Sequence, residues 1–253
     1  MISDQYIRAR LHEPEDASSR QTCKQPNSSK RNRLPEMVQN VETHTPPSRR
    51  IKQKRGRKTY DALISTAFKL LEDREFESIT IAELSSKAGY SVGAFYSRFH
   101  SKDEFFDAMI ARHVEDRRNT QLRLFETLPD DLFVSKLIED IVEYYWNRRR
   151  FWRAALMRSV RDPSFWEPIR AQSHSLGNLL IERIGNKAGR PLTDIEVTNV
   201  RFSLQVALGT INNTIINRPG PVFMDQVLFI ENLTRAFRLV SGYETLVTEG
   251  PSP

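Results

Sequence analysis

Apolar positions follow two regimes along the chain. Up to about residue 50 they are sparse and show no period, among many Ser, Pro, Asn, Gln and charged residues. Such a stretch cannot bury enough surface to offset its ordering entropy, which predicts a disordered extension over 1–50. From residue 58 the pattern turns helical. In TYDALISTAFKLLEDREF, Leu63, Ile64, Ala67, Phe68, Leu70 and Leu71 recur at the spacing of one helix face.

Short elements follow. Thr80 stands as an N-cap with Glu83 three residues on, a capping box, and Ile81, Leu84 and Ala88 share a face that Gly89 ends. Ser91 caps a second short helix, VGAFYSRF, and Ser101 a third, with Asp103 and Glu104 in its first turn. Two short helices across a glycine turn, braced by a longer one on each side, are a helix-turn-helix. Beyond it, helical periods cover 102–126, 131–158, 163–185, 193–217 and 222–241, punctuated by prolines at 129, 163, 191, 219 and 221. No stretch alternates like a strand. The expected fold is all-α: a helix-turn-helix DNA-binding domain over 51–103, a larger helical effector-binding and dimerisation domain over 104–245, and a disordered tail over 246–253.

Charge sharpens this picture. The net charge is +6 overall, but residues 1–58 hold 14 Lys and Arg against 6 Asp and Glu, and the remainder is slightly acidic. The densest run, SRRIKQKRGRK, abuts the first helix and suits a polyanion-binding arm. In a helix-turn-helix the second helix enters the major groove by its N-terminal residues. Small side chains at Val92, Gly93 and Ala94 allow that approach, Phe95 and Phe99 pack inward on Leu63, Phe68 and Leu84, and the Tyr96 hydroxyl can reach a phosphate. The expected DNA-facing set is Lys54, Arg55, Arg57, Thr80, Ser91, Val92, Gly93, Ala94, Tyr96 and Lys102.

These residues resemble the tetracycline-repressor (TetR) family of bacterial transcriptional regulators. The resemblance runs from about 57 to 105 and rests on ALISTAFKLLEDREF, Thr80 and AGYSVGAFYSRFHSKDEFF, with Ala88, Gly89, Ser91, Gly93, Tyr96, Phe99 and Lys102 at matching positions. Two positions depart from it: Glu75 stands where glycine is usual, and Tyr90 where a small aliphatic residue is usual. A non-glycine residue at 75 must accept a positive φ or end the helix differently. The resemblance implies a dimer that binds a palindromic operator and is released by a small-molecule effector. An activator, or an effector-independent DNA binder of the same fold, is the alternative reading.

The larger domain supplies candidates for both roles. Apolar residues occupy nearly all sides of the helix TDIEVTNVRFSLQVALGTINNTIIN, and a stripe runs down VFMDQVLFIENLTRAFRLV. Their pairing predicts a dimer seam through Val200, Leu204, Leu208, Ile211, Ile215, Val227, Ile230, Leu233 and Phe237. The aromatic concentration at Tyr144, Tyr145, Trp146, Trp152 and Trp166 marks an effector pocket, while Arg148, Arg149 and Arg150 read as a solvated helix end.

Other classes find little support. The five histidines are scattered, without HExxH, cysteine cluster or glycine-rich phosphate loop, so neither an enzyme, a metal site nor a cofactor is expected. No apolar run reaches the ~18 residues of a membrane span, and the basic tail lacks the apolar stripe of a membrane-surface helix. The single Cys23 and the absence of an apolar leader fit a cytoplasmic setting.

Overall fold

The computed structural model describes the backbone of residues 47–248 and the side chains of 56–247. Ten α-helices carry it: α1 Pro47–Leu70, α2 Ile81–Lys87, α3 Val92–Tyr96, α4 Lys102–Thr127, α5 Phe133–Asn147, α6 Arg149–Arg161, α7 Glu167–Ala188, α8 Asp194–Asn217, α9 Val227–Ser241 and α10 Tyr243–Thr248. Two 3-10 turns, Phe76–Ser78 and Pro163–Trp166, complete the described elements. Of the segments expected to be disordered, 1–46 and 249–253 lie outside the described residues, whereas 47–50 belong to α1 and 246–248 to α10, where Leu246 is buried.

The helix starts follow the local chemistry of the sequence. Ser91 Oγ accepts from Ala94 N, Ser101 Oγ from Glu104 N, and Thr193 with Glu196 forms a complete capping box. The box expected at Thr80 is only half made: Thr80 Oγ1 accepts from Glu83 N, but the Glu83 carboxylate is held instead by Arg74 and Lys87. At residue 75 the chain takes the second of the two options open to it. Helix α1 stops at Leu70, and Glu75 sits in extended backbone with φ −75° and ψ 146°.

Three helix boundaries differ from the sequence reading. The helix expected over 131–158 is two, broken at Arg148, which leaves helical geometry at φ −116° and ψ 25°. Nothing in NRRR breaks a helix by itself; at the corner the Arg148 guanidinium lies over the ring of Tyr144, one turn earlier, at 4.3 Å and over that of Phe68 on α1 at 5.5 Å. The helix expected from 222 begins at 227, because Met224 is buried in the connection and the Gln226 side chain caps Phe223 N. Helix α10, unforeseen, follows Gly242, whose φ of +68° suits glycine.

Helices α8 and α9 lie against each other, with α5 and α6 beside them, and α4 packs along α7. A central side chain is Phe106 on α4, 1% exposed. Its ring meets Phe76 near the helix-turn-helix at 4.4 Å, and Phe151 and Phe165 of the larger domain at 5.4 and 5.7 Å.

Candidate nucleic-acid interface and helical-domain cavity

Helix α3 is five residues long and owes its position to what lies beneath it. Phe95, Phe99 and Phe105 are almost fully buried, and their rings meet pairwise with centroids 5.0 to 5.3 Å apart. Phe99 also meets Tyr60 of α1, while Phe68 turns away to Phe151. The turn before α3 ends α2 with paired bonds, Tyr90 N to Ser85 O and Gly89 N to Ser86 O, and Gly89 takes φ +78°.

The outer surface is a different matter. Ser91, Val92, Gly93 and Tyr96 are exposed, Tyr96 by 52%, and Ala94 is half-buried. A Cβ added at Gly93 would meet only Ser91 Oγ, at 3.8 Å, so nothing in the fold requires glycine there. Arg57 is exposed and borders the same open depression as Ser97 and Arg98; Lys54 and Arg55 lie outside the residues whose side chains are described. Thr80 is exposed and caps α2.

Two basic residues act inside the unit. Lys102 Nζ donates to the carbonyls of Phe76 at 2.7 Å and Glu77 at 3.2 Å and lies over the Phe76 ring at 4.5 Å. Partial burial lowers its pKa, against the pull of Glu77 and Asp103. Arg98, which the sequence reading missed, donates to Gly56 O and Ala94 O and so ties α3 to α1. An arginine one residue before an anchoring phenylalanine carries no pattern that would have singled it out.

In the larger domain a cavity of about 470 Å³ opens between α5, α7 and α8. Of the five expected aromatics, Tyr145 and Trp166 line it. Trp152 lies behind Tyr145, stacked at 4.3 Å and 6°, with its indole N–H buried and unpaired. Tyr144 turns away from the cavity and Trp146 faces a separate cleft. The cavity wall also carries Arg170, Arg201 and His174, with Asn212 Oδ1 buried and without a partner.

Behind it sits a polar cluster. His113 Nδ1 and the Tyr144 hydroxyl are 2.5 Å apart, and buried Arg117 pairs with Asp140 at 2.5 Å while stacking on the Tyr144 ring. Burial, reinforced by Arg117 and Arg148, pushes the His113 pKa down to about 3, and burial pushes the Tyr144 hydroxyl up to about 12. His113 is therefore a neutral imidazole at neutral pH.

Most of the expected dimer seam packs within its own chain. Val200, Leu204, Ile211, Ile215, Leu233 and Phe237 are buried within their own chain, and Leu208 and Ile230 half-buried; of that set only Val227 is exposed. The pairing of α8 with α9 consumes the apolar stripe. Outward, α8 presents Ile195, Phe202, Gly209 and Ile216, seven residues apart, and α9 presents Leu228 and Leu239. Among the described residues no helix is long and apolar enough to cross a membrane, and no grouping of His, Cys, Asp and Glu could hold a metal ion.

Residues 63–109 match the profile of "Bacterial regulatory proteins, tetR family". Over 47 residues the chain is 43% identical to the Bacillus subtilis HTH-type transcriptional regulator YwcC, covering 19% of this chain and 21% of that protein. It thus spans about a fifth of the length of that curated relative. Among solved structures it is similar to Salmonella enterica GusR, with TM-score 0.54 and 15% identity over 73% of this chain and 95% of that one. It is also similar to a tetR-family transcriptional regulator from Streptomyces coelicolor, with TM-score 0.54 and 18% identity over 76% of this chain and 82% of that one. At these identities the structural likeness speaks to fold alone.

Proposed function

The chain belongs to the tetR family of bacterial regulatory proteins, and we infer from that premise that it is a dimeric repressor released from a palindromic operator by a small molecule. The observation that carries this reading is the exposed face of α3, Ser91, Val92, Gly93 and Tyr96, set rigidly on three phenylalanines beside Arg57. Small residues let backbone approach a groove, and the tyrosine hydroxyl and the arginine reach phosphates. Lys102 contributes by holding the 3-10 turn at 76–78 against α4, since two carbonyls already engage its ammonium.

A mate would seat on the outward stripes of α8 and α9. Four such helices, two from each copy, form a bundle with a two-fold axis. A palindromic operator then requires the two recognition helices about 34 Å apart, one turn of duplex. The cavity on α7 and α8 favours effector control over the effector-independent reading, since a constitutive binder has no use for it. Helix α4 carries the signal: Phe106 touches both regions, so a ligand that shifts α6 or α7 moves the base of the DNA-binding unit.

Two experiments test this. Gly93→Leu should abolish binding to an operator selected from random duplexes, with circular dichroism and thermal midpoint unchanged; normal binding would show that α3 is not the groove helix. Phe202→Arg should turn a dimer into a folded monomer by sedimentation, whereas Ile211→Arg should unfold the chain, because it buries an unpaired charge in the protomer core. A wild-type chain that sediments as a monomer at micromolar concentration would sink the dimer.

A further inference from the structure

A second concavity, of about 330 Å³, lies where the end of the α1 region meets α6 and the C-terminal end of α8. Its wall carries Arg149, Arg150, Arg153 and Arg218, with Trp146 and a single carboxylate, Glu75. Most of this positive charge is unanswered. Glu75 lies 3.6 Å from Arg150 Nε, and the other contacts of the group are neutral. Arg149 donates to Trp146 O and stacks on its ring at 4.4 Å, Arg150 donates to Glu72 O, and Arg153 donates to Ile215 O. The carbonyls orient the guanidinium groups without neutralising them.

Arg218 adds a separate observation. It ends α8 in the left-handed region, at φ 47°, where glycine is the usual occupant. The backbone there disfavours a side chain, yet an arginine occupies it and turns its head group into the cleft. That head lies over the Phe223 ring, 5.3 Å from its centroid.

We propose that this cleft is a second ligand site, distinct from the cavity between α7 and α8, and that it takes a small anion bearing a diphosphate group. Four guanidinium forks against one carboxylate leave three positive charges; a monocarboxylate would answer one of them, a diphosphate two or three. Arginine forks also match phosphate oxygens two at a time. The volume stands at the small end of ligand sites, which suits a compact polyanion. Since Arg150 also holds Glu72 and Glu75 beside the DNA-binding unit, a ligand in the cleft competes with Glu75 for Arg150, and by linkage its occupancy and DNA affinity influence each other.

The test is calorimetric titration of the full chain with inorganic pyrophosphate and, in a parallel arm, with a nucleoside diphosphate. Saturable binding of one anion per chain is expected. The pair Arg153→Gln and Arg218→Gln should weaken it about tenfold or more, for the loss of two charge-assisted contacts. Arg170→Gln with Arg201→Gln, in the other cavity, should leave it unchanged. Tighter binding of the nucleotide than of pyrophosphate identifies a nucleotide source stacking on Trp146; equal binding identifies the free anion. Both arginines of the first pair are exposed, so the variant should keep its thermal midpoint; if it does not, Arg149→Gln replaces it and must weaken binding likewise. No saturable binding overturns the proposal. So does binding that survives these substitutions but vanishes when Lys52, Lys54, Arg55 and Arg57 are changed to Gln, which would place the anion on the basic arm.

Discussion

The helix-turn-helix and the larger domain are built on opposite terms. Beneath α3 the core is rings and aliphatics, with Leu63, Phe95 and Phe105 fully buried, and the caps at Thr80, Ser91 and Ser101 are satisfied. The larger domain buries His113, Arg117 and Gln121 in its interior. Of five buried side-chain polar atoms without a partner among the described residues, only Ser85 Oγ lies near α3; Trp152 Nε1, Asn212 Oδ1, Thr234 Oγ1 and Arg238 Nε lie in the larger domain. Two of these four, Trp152 Nε1 and Asn212 Oδ1, lie behind and on the wall of the cavity between α7 and α8, and buried polar groups without partners cost stability. One region presents a fixed surface, and the other retains groups that a ligand can satisfy.

The largest effect should come from the dry core. Phe95→Ala removes a fully buried ring that touches Phe99 and Phe105, and should cost about 3–5 kcal/mol, read as a lowered thermal midpoint with DNA binding lost through unfolding. A loss below about 1 kcal/mol would mean that α3 does not depend on this ring.

Next comes the pH dependence of the larger domain. His113 is held near pKa 3 in the fold, below the 6.5 of an unfolded histidine, so the unfolded chain binds the extra proton between those values. Its contribution is fully present above about pH 6.5 and falls as pH drops toward 3, by about 2 kcal/mol at pH 5. His113→Gln should flatten that slope in urea titrations at pH 7 and pH 5. An unchanged slope would assign the acid sensitivity elsewhere.

The smallest effect tests the unpaired groups directly. Asn212→Leu replaces an unsatisfied acceptor with an apolar side chain of similar size, and should change stability by no more than a few tenths of a kcal/mol or raise it. A loss above about 1 kcal/mol would show that Asn212 has a partner in solution, and the contrast between the two regions would weaken.

The same contrast explains what could be read from sequence. The DNA-binding unit was legible because its boundaries are local: Ser91 and Ser101 cap within three residues, and Gly89 supplies its own positive φ. The break at Arg148 was not, because nothing in NRRR marks it and the Phe68 ring beside Arg148 lies on α1, far away in sequence. Helix α8 is apolar all round, so periodicity could not tell Val200 and Ile211, which face inward, from Ile195 and Phe202, which face out. In the aromatic run, helix geometry itself limits what can share a pocket. Neighbours on a helix diverge by about 100°, so Tyr144, Tyr145 and Trp146 could not all line one cavity. Arg149 and Arg150, read as a solvated helix end, instead border a cleft with arginines about four and seventy residues on, a proximity no window on the sequence displays.

Phe106 has a consequence for how such a protein can be taken apart. Because one helix supplies Phe105 to the base of α3 and Phe106 to both regions, a cut at residue 103 severs a reading head from its own foundation. The domain expected over 51–103 is therefore packed on residues beyond its own boundary. Any exchange of sensing modules between relatives, in the laboratory or by recombination, must carry the first turns of α4 with the DNA-reading half, and must find in its new host a ring to replace Phe151 against Phe106.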